Sequence, residues 1–320
     1  MDVPGKISLQ NECLRVVVLP EAGGKISELV DLRTGRNWLW HNPDIPFRCN
    51  EYGQNYGQAL DSGGWDEILM SITPTQLKLA DAALCIPDHG DVVGQAWDVS
   101  RDEEEADGTA VCELSVNGRA ANYQMTRTIR LRPGNARLEV DYSLINNDAF
   151  AWPWYWCAHT LLAAEPEMQI NLPAEQYFRV DDLAVNSKRW NDIEGRWPIL
   201  APDTADARDL SRNFESTTDE DRFAGKVFVR SPATGSVQVV IGNSPERLSL
   251  HYDSVRLPWL GLWINNRGWA GNGGKPYQNL GLEPATTAYD DVAQALDNDA
   301  VEWLQPGEIR RWSLAVELHS

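Results

Sequence analysis

Arg137–Leu144 reads RLEVDYSL, and every second residue from Leu138 onward is apolar. In an extended chain these apolar side chains share one face and the polar ones share the other, which is typical of a half-buried antiparallel strand. The pair Pro133-Gly134 stands shortly before this stretch, with two residues between them. A Pro-Gly turn followed by an alternating strand predicts a β-hairpin.

The same pattern returns near the end of the chain, where Arg311–Leu318 alternates after the pair Pro306-Gly307. We expect a second hairpin there. Turn residues separate further strand candidates, which are Cys13–Leu19, Lys25–Asp31, Ala110–Val116, Gln124–Leu131, Lys226–Arg230, Val237–Gly242 and Arg247–Tyr252. Ala288–Leu296 is the best candidate for a short helix. The sequence predicts an all-β sandwich of large antiparallel sheets with very little helix, formed by residues 1–320 as a single domain.

Composition narrows the class of protein. The chain has 320 residues, 42% of them hydrophobic and 23% charged, with a formal net charge of -19. That charge opposes binding to nucleic acid or to anionic membranes and favours a neutral or weakly charged ligand. The five cysteines form no paired motif, which argues against a disulfide framework or a zinc ribbon. With neither a signal segment nor a long apolar run, the sequence predicts a cytoplasmic protein.

Gly281–Thr287 reads GLEPATT and places the carboxylate of Glu283 among apolar residues. The stretch Pro258–Trp263, PWLGLW, and Asn265 lie shortly before it. A poorly solvated carboxylate in such a setting is typical of a general base. The alternative is a structural glutamate at a strand end, held in a salt bridge.

Two histidines are candidates for the same chemistry. His89 lies in the turn Pro87-Asp88-His89-Gly90-Asp91, and His159 follows an aromatic stretch, Trp154–Cys157. A lone histidine is more often structural than catalytic, but two of them with Glu283 favour acid–base chemistry on a sugar. Two histidines and one carboxylate could also bind iron, although their spacing is unusual for a metal site. The motif G-x-S-x-G of serine hydrolases is absent from the sequence.

The chain contains 14 tryptophans. An indole can stack on the C–H face of a pyranose and donate its N–H to a hydroxyl, although most tryptophans fill protein cores. Trp152, Trp154 and Trp156 alternate along one stretch. We expect Trp65 and Trp263 to contact ligand, because each lies beside polar residues.

In order along the chain, these motifs resemble the aldose 1-epimerases, or galactose mutarotases. The resemblance is carried by Leu19–Ile26, Gly63–Glu67, Asp88–Gly90, His159, Leu260–Trp263 with Asn265, Leu282–Pro284 and Gln305–Glu308. It implies a β-supersandwich fold and a cofactor-free reaction on a small sugar.

The resemblance also implies roles for single residues. Glu283 matches the general base, His159 the general acid and His89 a histidine that orients the sugar. Asp66 or Glu67 would assist in binding, together with Trp65, Trp263 and Asn265. The nearest match to an arginine of the family's early loop is Arg48. The family's substrate-binding aspartate has Asp192 and Asp253 as candidates.

The predicted function is therefore interconversion of sugar anomers. Glu283 would remove the proton of the C1 hydroxyl while His159 protonates the ring oxygen, so that the ring opens, the C1–C2 bond rotates and the ring closes again. Such a reaction needs neither metal nor cofactor. The alternative is a non-catalytic carbohydrate-binding or other sugar-processing protein on the same fold.

Overall fold

The computed structural model describes residues 4–80, 82–173, 175–185, 188–214, 222–271 and 274–320. β-Strands dominate these residues, and the strands form two large antiparallel sheets. This confirms the predicted all-β fold with very little helix.

The large sheet contains thirteen strands within the described residues. They are β1 (Ile7–Gln10), β2 (Leu14–Leu19), β3 (Lys25–Asp31), β4 (Trp65–Leu69), β12 (Trp156–Ala163), β14 (Tyr177–Val185), β15 (Lys188–Trp190), β16 (Ile193–Arg196), β17 (Ile199–Leu200), β18 (Arg208–Asp209), β19 (Phe223–Arg230), β22 (Trp259–Asn266) and β23 (Gln278–Ala285). Their order is β1-β2-β3-β4-β12-β23-β22-β19-β14-β16-β17-β18, with β15 paired to β14. Strands from distant parts of the chain therefore meet at the centre, where β4, β12, β23, β22 and β19 lie side by side.

The small sheet has eight strands in the described part of the chain. They are β7 (Asp98–Glu104), β8 (Ala110–Asn117), β9 (Tyr123–Leu131), β10 (Arg137–Asn146), β13 (Met168–Asn171), β20 (Ser236–Ile241), β21 (Arg247–Tyr252) and β25 (Ile309–His319), in the order β13-β20-β21-β25-β10-β9-β8-β7. Two separate pairs join β5 (Thr75–Lys78) to β6 (Ala83–Ile86) and β11 (Trp152–Trp154) to β24 (Glu302–Leu304).

The hydrophobic core lies between the large sheet and the small sheet. Trp312 of β25 stacks on Tyr142 of β10, with ring centroids 5.2 Å apart, and contacts Trp154 and Trp156. Trp152 is also fully buried. The alternating tryptophans at 152–156 therefore fill the core.

The first predicted hairpin is confirmed, but the second is wrong. β9 and β10 pair across Pro133-Gly134. The chain also turns at Pro306-Gly307, but the strands on either side join different partners. β24 pairs with β11, whereas β25 pairs with β10 and β21. The turn therefore transfers the chain from one sheet to another.

The α-helix in the described residues is shorter than predicted. It spans Val292–Asp297, and the side chain of Asp291 caps it by accepting a hydrogen bond from the backbone N–H of Ala293. Shorter turns of other helical types occupy Pro20–Ala22 and Tyr56–Leu60. None of the described helices has the length and apolar character needed to span a membrane.

Candidate active site

The centre of the large sheet has two faces with different uses. Side chains alternate along β4, so Trp65 and Glu67 point to one face and Asp66 to the other. Glu67 reaches Arg127 and Tyr142 of the small sheet, which shows that its face is the core face. Asp66 lies directly across from His159 of β12 on the opposite face. The candidate site is built on this outer face.

A cavity of about 200 Å³ opens on the outer face. The structure brings Glu283, His159 and His89 together in its lining, although they lie far apart in the sequence. Aromatic rings form much of the remaining wall, namely those of Tyr56, Trp263, Trp269 and Tyr277. The predicted contact residue Trp263 therefore lies at the cavity, and Trp269, which is 46% exposed, stands beside it.

Glu283 lies inside β23 and is buried. Its Oε2 accepts a hydrogen bond from the ammonium of Lys226, whereas its buried Oε1 has no hydrogen-bond partner. Glu283 is therefore in a salt bridge, as the alternative interpretation of the sequence expected, but one oxygen is left for a ligand. Local sequence makes room for that oxygen, because a Cβ at Gly281 would stand 2.6 Å from it.

His159 lies in the middle of β12 rather than at a strand end. Its Nε2 is 3.9 Å from Oε1 of Glu283, and its Nδ1 is 3.3 Å from the hydroxyl of Tyr56. That hydroxyl donates a hydrogen bond of 2.7 Å to Asp66, so its oxygen can accept one from Nδ1–H of the imidazole. The network thus favours the tautomer in which Nε2 faces the cavity with its lone pair.

Burial is the main cause that lowers the pKa of His159 well below its usual value of 6.5, and the nearby His89, Lys226 and Lys25 lower it further. The imidazole is therefore neutral in the free protein near neutral pH. Burial likewise raises the pKa of the Tyr56 phenol well above its usual value, so that this hydroxyl remains a donor to Asp66.

His89 lies in a turn and adopts a left-handed backbone conformation, with a φ of 59°. Its Nδ1 is 2.8 Å from Oδ1 of Asp88, and its ring stacks on Tyr56 with centroids 3.7 Å apart. The ring is also perpendicular to that of His159. These contacts fix one edge of the imidazole and leave the other for the cavity.

The sequence did not single out the lysine and the two aspartates of the cavity, which are Lys226, Asp61 and Asp290. Lys226 is a single lysine in the apolar strand FAGKVFVR, and a charge in such a strand indicates a buried partner. Asp61 and Asp290 follow turns and carry no comparable signal. Each of the two aspartates has a buried carboxylate oxygen without a hydrogen-bond partner.

Burial makes the carboxyl groups of these two aspartates harder to ionise than an exposed aspartate. Burial raises the pKa of Asp61 above its usual value, against the opposing effect of Lys25. Burial also raises the pKa of Asp290 from 3.8 to about 6, although Lys226 acts to lower it.

Two predicted contact residues lie on the wrong face of the sheet. Trp65 is 0% exposed and packs in the core, so it cannot stack on a ligand in the cavity. Glu67 is also fully buried, where its carboxylate binds Arg127, Tyr142 and the indole N–H of Trp156. The structure does not bring these two side chains to the cavity, because the period-2 alternation of β4 turns only Asp66 to the outer face.

Other predicted residues support the site from behind or lie away from it. Asp66 is buried and binds Lys25 and Tyr56. Asn265 exchanges two hydrogen bonds with the backbone of Trp269 and so holds the rim of the cavity. Arg48 donates to the carbonyl of Ala59 and is not among the lining residues.

Neither candidate for a substrate-binding aspartate lies at the cavity. Asp192 pairs with Arg179 at the surface. Asp253 accepts hydrogen bonds from the backbone of Val255 and Arg256 within a turn. Across the described ranges, no group of three or more His, Cys, Asp or Glu side chains has an arrangement that could hold a metal ion.

The sequence model of the aldose 1-epimerase family matches residues 5–221, about two thirds of the chain. The chain belongs to this family. The matched range includes His89 and His159 but ends before the strands that carry Lys226 and Glu283, so the placement of these two residues depends on the geometry described above. No protein of curated function is similar enough to count as a match.

Solved structures of similar fold cover nearly the whole chain. A galactose mutarotase-like protein from Clostridium acetobutylicum is 12% identical with a TM-score of 0.67, over 97% of this chain and 94% of its own. A galactose mutarotase related enzyme from Lactobacillus acidophilus is 13% identical with a TM-score of 0.66, over 99% and 98%. A galactose mutarotase-like protein from Lactobacillus casei is 15% identical with a TM-score of 0.60, over 98% and 100%. At such identities the likeness shows the galactose mutarotase-like fold.

Proposed function

We propose that this member of the family is an active aldose 1-epimerase, which interconverts the anomers of an unphosphorylated aldose by opening and closing its ring. One observation carries the proposal: Oε1 of Glu283, buried and without a partner, lies 3.9 Å from Nε2 of His159 inside one cavity. This separation is too long for a direct hydrogen bond, so each group can bind a different atom of a ligand. The C1 hydroxyl oxygen and the ring oxygen of a pyranose are bonded to the same carbon, and two adjacent groups can reach both.

The reaction requires only proton transfers. Glu283 accepts the proton of the C1 hydroxyl at Oε1. The small fraction of His159 that is protonated at Nε2 gives this proton to the ring oxygen as the bond between C1 and the ring oxygen breaks. The C1–C2 bond of the open aldehyde then rotates. Glu283 then returns its proton to the oxygen of C1, and the former ring oxygen returns its proton to Nε2 of His159 as it attacks C1. The ring closes as the other anomer.

The remaining residues of the cavity bind and orient the sugar. Tyr56 holds the ring of His159 through Nδ1, and His89 presents a second imidazole beside it. The indoles of Trp263 and Trp269 offer apolar faces for the C–H groups of a pyranose.

The charges of the cavity favour hydroxyl donors over a phosphate. Three carboxylates line it, those of Asp61, Glu283 and Asp290, and each has an oxygen free to accept a hydrogen bond. Among the described lining residues, Lys226 is the one lysine or arginine, and its ammonium already binds Glu283. A phosphate would therefore face like charges.

The test is NMR saturation transfer between anomers on a panel of aldoses, each supplied with its 6-phosphate. We expect interconversion well above the uncatalysed rate for at least one free aldose and a lower kcat/KM for its phosphate. A protein that binds sugars but interconverts none of them would instead be the carbohydrate-binding alternative. Faster turnover of the phosphate would contradict the proposed substrate class.

A further inference from the structure

A buried lysine joins two carboxylates in the floor of the candidate site. The ammonium of Lys226 donates to Oε2 of Glu283 and lies 3.6 Å from Oδ1 of Asp290. Only 6% of the lysine side chain is exposed. The acid–base steps described above assign this lysine no part.

The sheet is built to let this lysine reach the glutamate. Lys226 lies on β19 and Glu283 on β23, with β22 between them. On β22 the residue directly across from Glu283 is Gly261. A Cβ there would stand 2.9 Å from Cε of Lys226 and 3.3 Å from Cβ of Glu283. The lysine therefore crosses the intervening strand through the space that the missing side chain leaves.

The contact makes the two oxygens of Glu283 different. Oε2 is bound by the ammonium, while Oε1 faces His159 and has no partner. Without the lysine, the carboxylate could rotate and share its charge between two equivalent oxygens. With it, one defined oxygen is directed toward the position of the substrate.

The lysine also supplies a lasting positive charge. Burial disfavours its charged form, but Asp290 and Glu283 together hold the pKa of Lys226 above its usual value. Asp290 thus contributes a second negative charge, so the ammonium stays charged when Glu283 takes up a proton.

We propose that Lys226 is a positioning residue for the Glu283 base: its ammonium fixes Oε2 and presents Oε1 to the sugar, with Asp290 as its second counter-ion. This inference rests on the proposed acid–base function of Glu283.

The first test needs no turnover. The carboxyl carbon of Glu283 is followed by NMR in protein labelled with ¹³C-glutamate, and the Glu283→Gln spectrum assigns its signal. In Lys226→Met, we expect the chemical shift of this carbon at pH 7 to move away from its wild-type value, because Oε2 has lost the ammonium that binds it. Lys226→Arg, which keeps a charged donor, should return the chemical shift toward that of the wild type.

The second test measures anomer exchange across pH in the same variants. Lys226→Met should lower kcat more than it changes KM. It should also displace the pH profile of kcat to higher pH, because the charge of Lys226 lowers the pKa of His159. Lys78→Met, at an exposed position of β5, is the control and should match the wild type. Thermal unfolding reports the loss of stability that a merely structural lysine would also cause.

These outcomes separate the two proposals. An unchanged carboxyl signal of Glu283 in folded Lys226→Met would overturn the role of the lysine, whatever the activity. Should Lys226→Met fold poorly, the double variant Lys226→Met/Asp290→Asn removes the second buried charge and is read in the same way. A displaced carboxyl signal in a protein that exchanges no aldose would overturn the proposed function and with it the positioning role in catalysis.

Discussion

Nε2 of His159 and Oε1 of Glu283 face each other across 3.9 Å at the base of one cavity. The two residues belong to adjacent strands, β12 and β23, so the sheet itself fixes their separation. A rigid pair of this kind suits acid–base chemistry, which depends on accurate placement of both groups.

Glu283→Gln should abolish the base while keeping the shape of the side chain. We expect kcat to fall by about 10²-fold or more, the usual contribution of one positioned acid–base group. Sugar affinity should change less, because the aromatic wall and His89 remain. Saturation transfer gives kcat, and Glu104→Gln on the exposed edge strand β7 serves as the control. Full activity in Glu283→Gln would eliminate this glutamate as the base.

His159 should titrate well below 6.5, because burial, followed by the adjacent His89 and two lysines, disfavours its charged form. The ¹⁵N signals of its ring, assigned with His159→Gln, should show a neutral imidazole protonated at Nδ1 throughout the neutral range. From about pH 8 downward, kcat/KM should rise as the protonated fraction of His159 grows. Two results would contradict the assignment. One is an imidazole of His159 that is already positively charged at pH 7, and the other is a kcat/KM that falls as the pH is lowered from about 8 through the neutral range.

The sequence predicted the strands and the three residues that meet at the cavity, but for different reasons. Period-2 alternation is a local property, so stretches such as Arg137–Leu144 could be identified directly. The meeting of His89, His159 and Glu283 was expected because each was placed at a turn or strand end, where sheets present functional groups. The resemblance to a family gave the three residues their roles. Spacing alone could not show their meeting, because the order of strands in the large sheet is set by long-range pairing.

The residues that the sequence misplaced or did not single out also owe their positions to long-range contacts. Trp65 and Glu67 flank Asp66, and a strand buried on both faces gives no sign of which face holds the site. Lys226 could have been identified as unusual in an apolar strand, but its partner lies two strands away. Asp290 comes to the cavity because its carbonyl accepts hydrogen bonds from the backbone N–H groups of Ile72 and Thr73, a contact between distant turns.

Gly281→Ala should damage the site without removing any of its ionisable groups. The new Cβ would stand 2.6 Å from Oε1 of Glu283 and 2.9 Å from Cβ of Trp263, so the carboxylate must move. Misplacement of a reacting group by about 1 Å can cost up to about 10²-fold in rate, and we expect a loss of kcat toward that size. Anomer exchange measures it, with thermal unfolding as the check on folding. Wild-type kcat in this variant would show that the position of Oε1 is unimportant.

Asp290→Asn should change how stability depends on pH. Burial raises the pKa of Asp290 in the folded protein from 3.8 to about 6, so the folded state holds this proton more tightly than the unfolded state does. The resulting stabilisation is fully present below pH 3.8 and is lost as the pH rises through about 6. Asparagine cannot ionise and does not lose this stabilisation. The Tm of Asp290→Asn minus the Tm of the wild type should therefore increase as the pH rises from 3.8 through about 6.

Calorimetry at a series of pH values measures the difference, and Asp297→Asn at an exposed position of the helix controls for the loss of one negative charge. A difference in Tm that stays constant or shrinks with rising pH would show that ionised Asp290 carries no net cost beside Lys226.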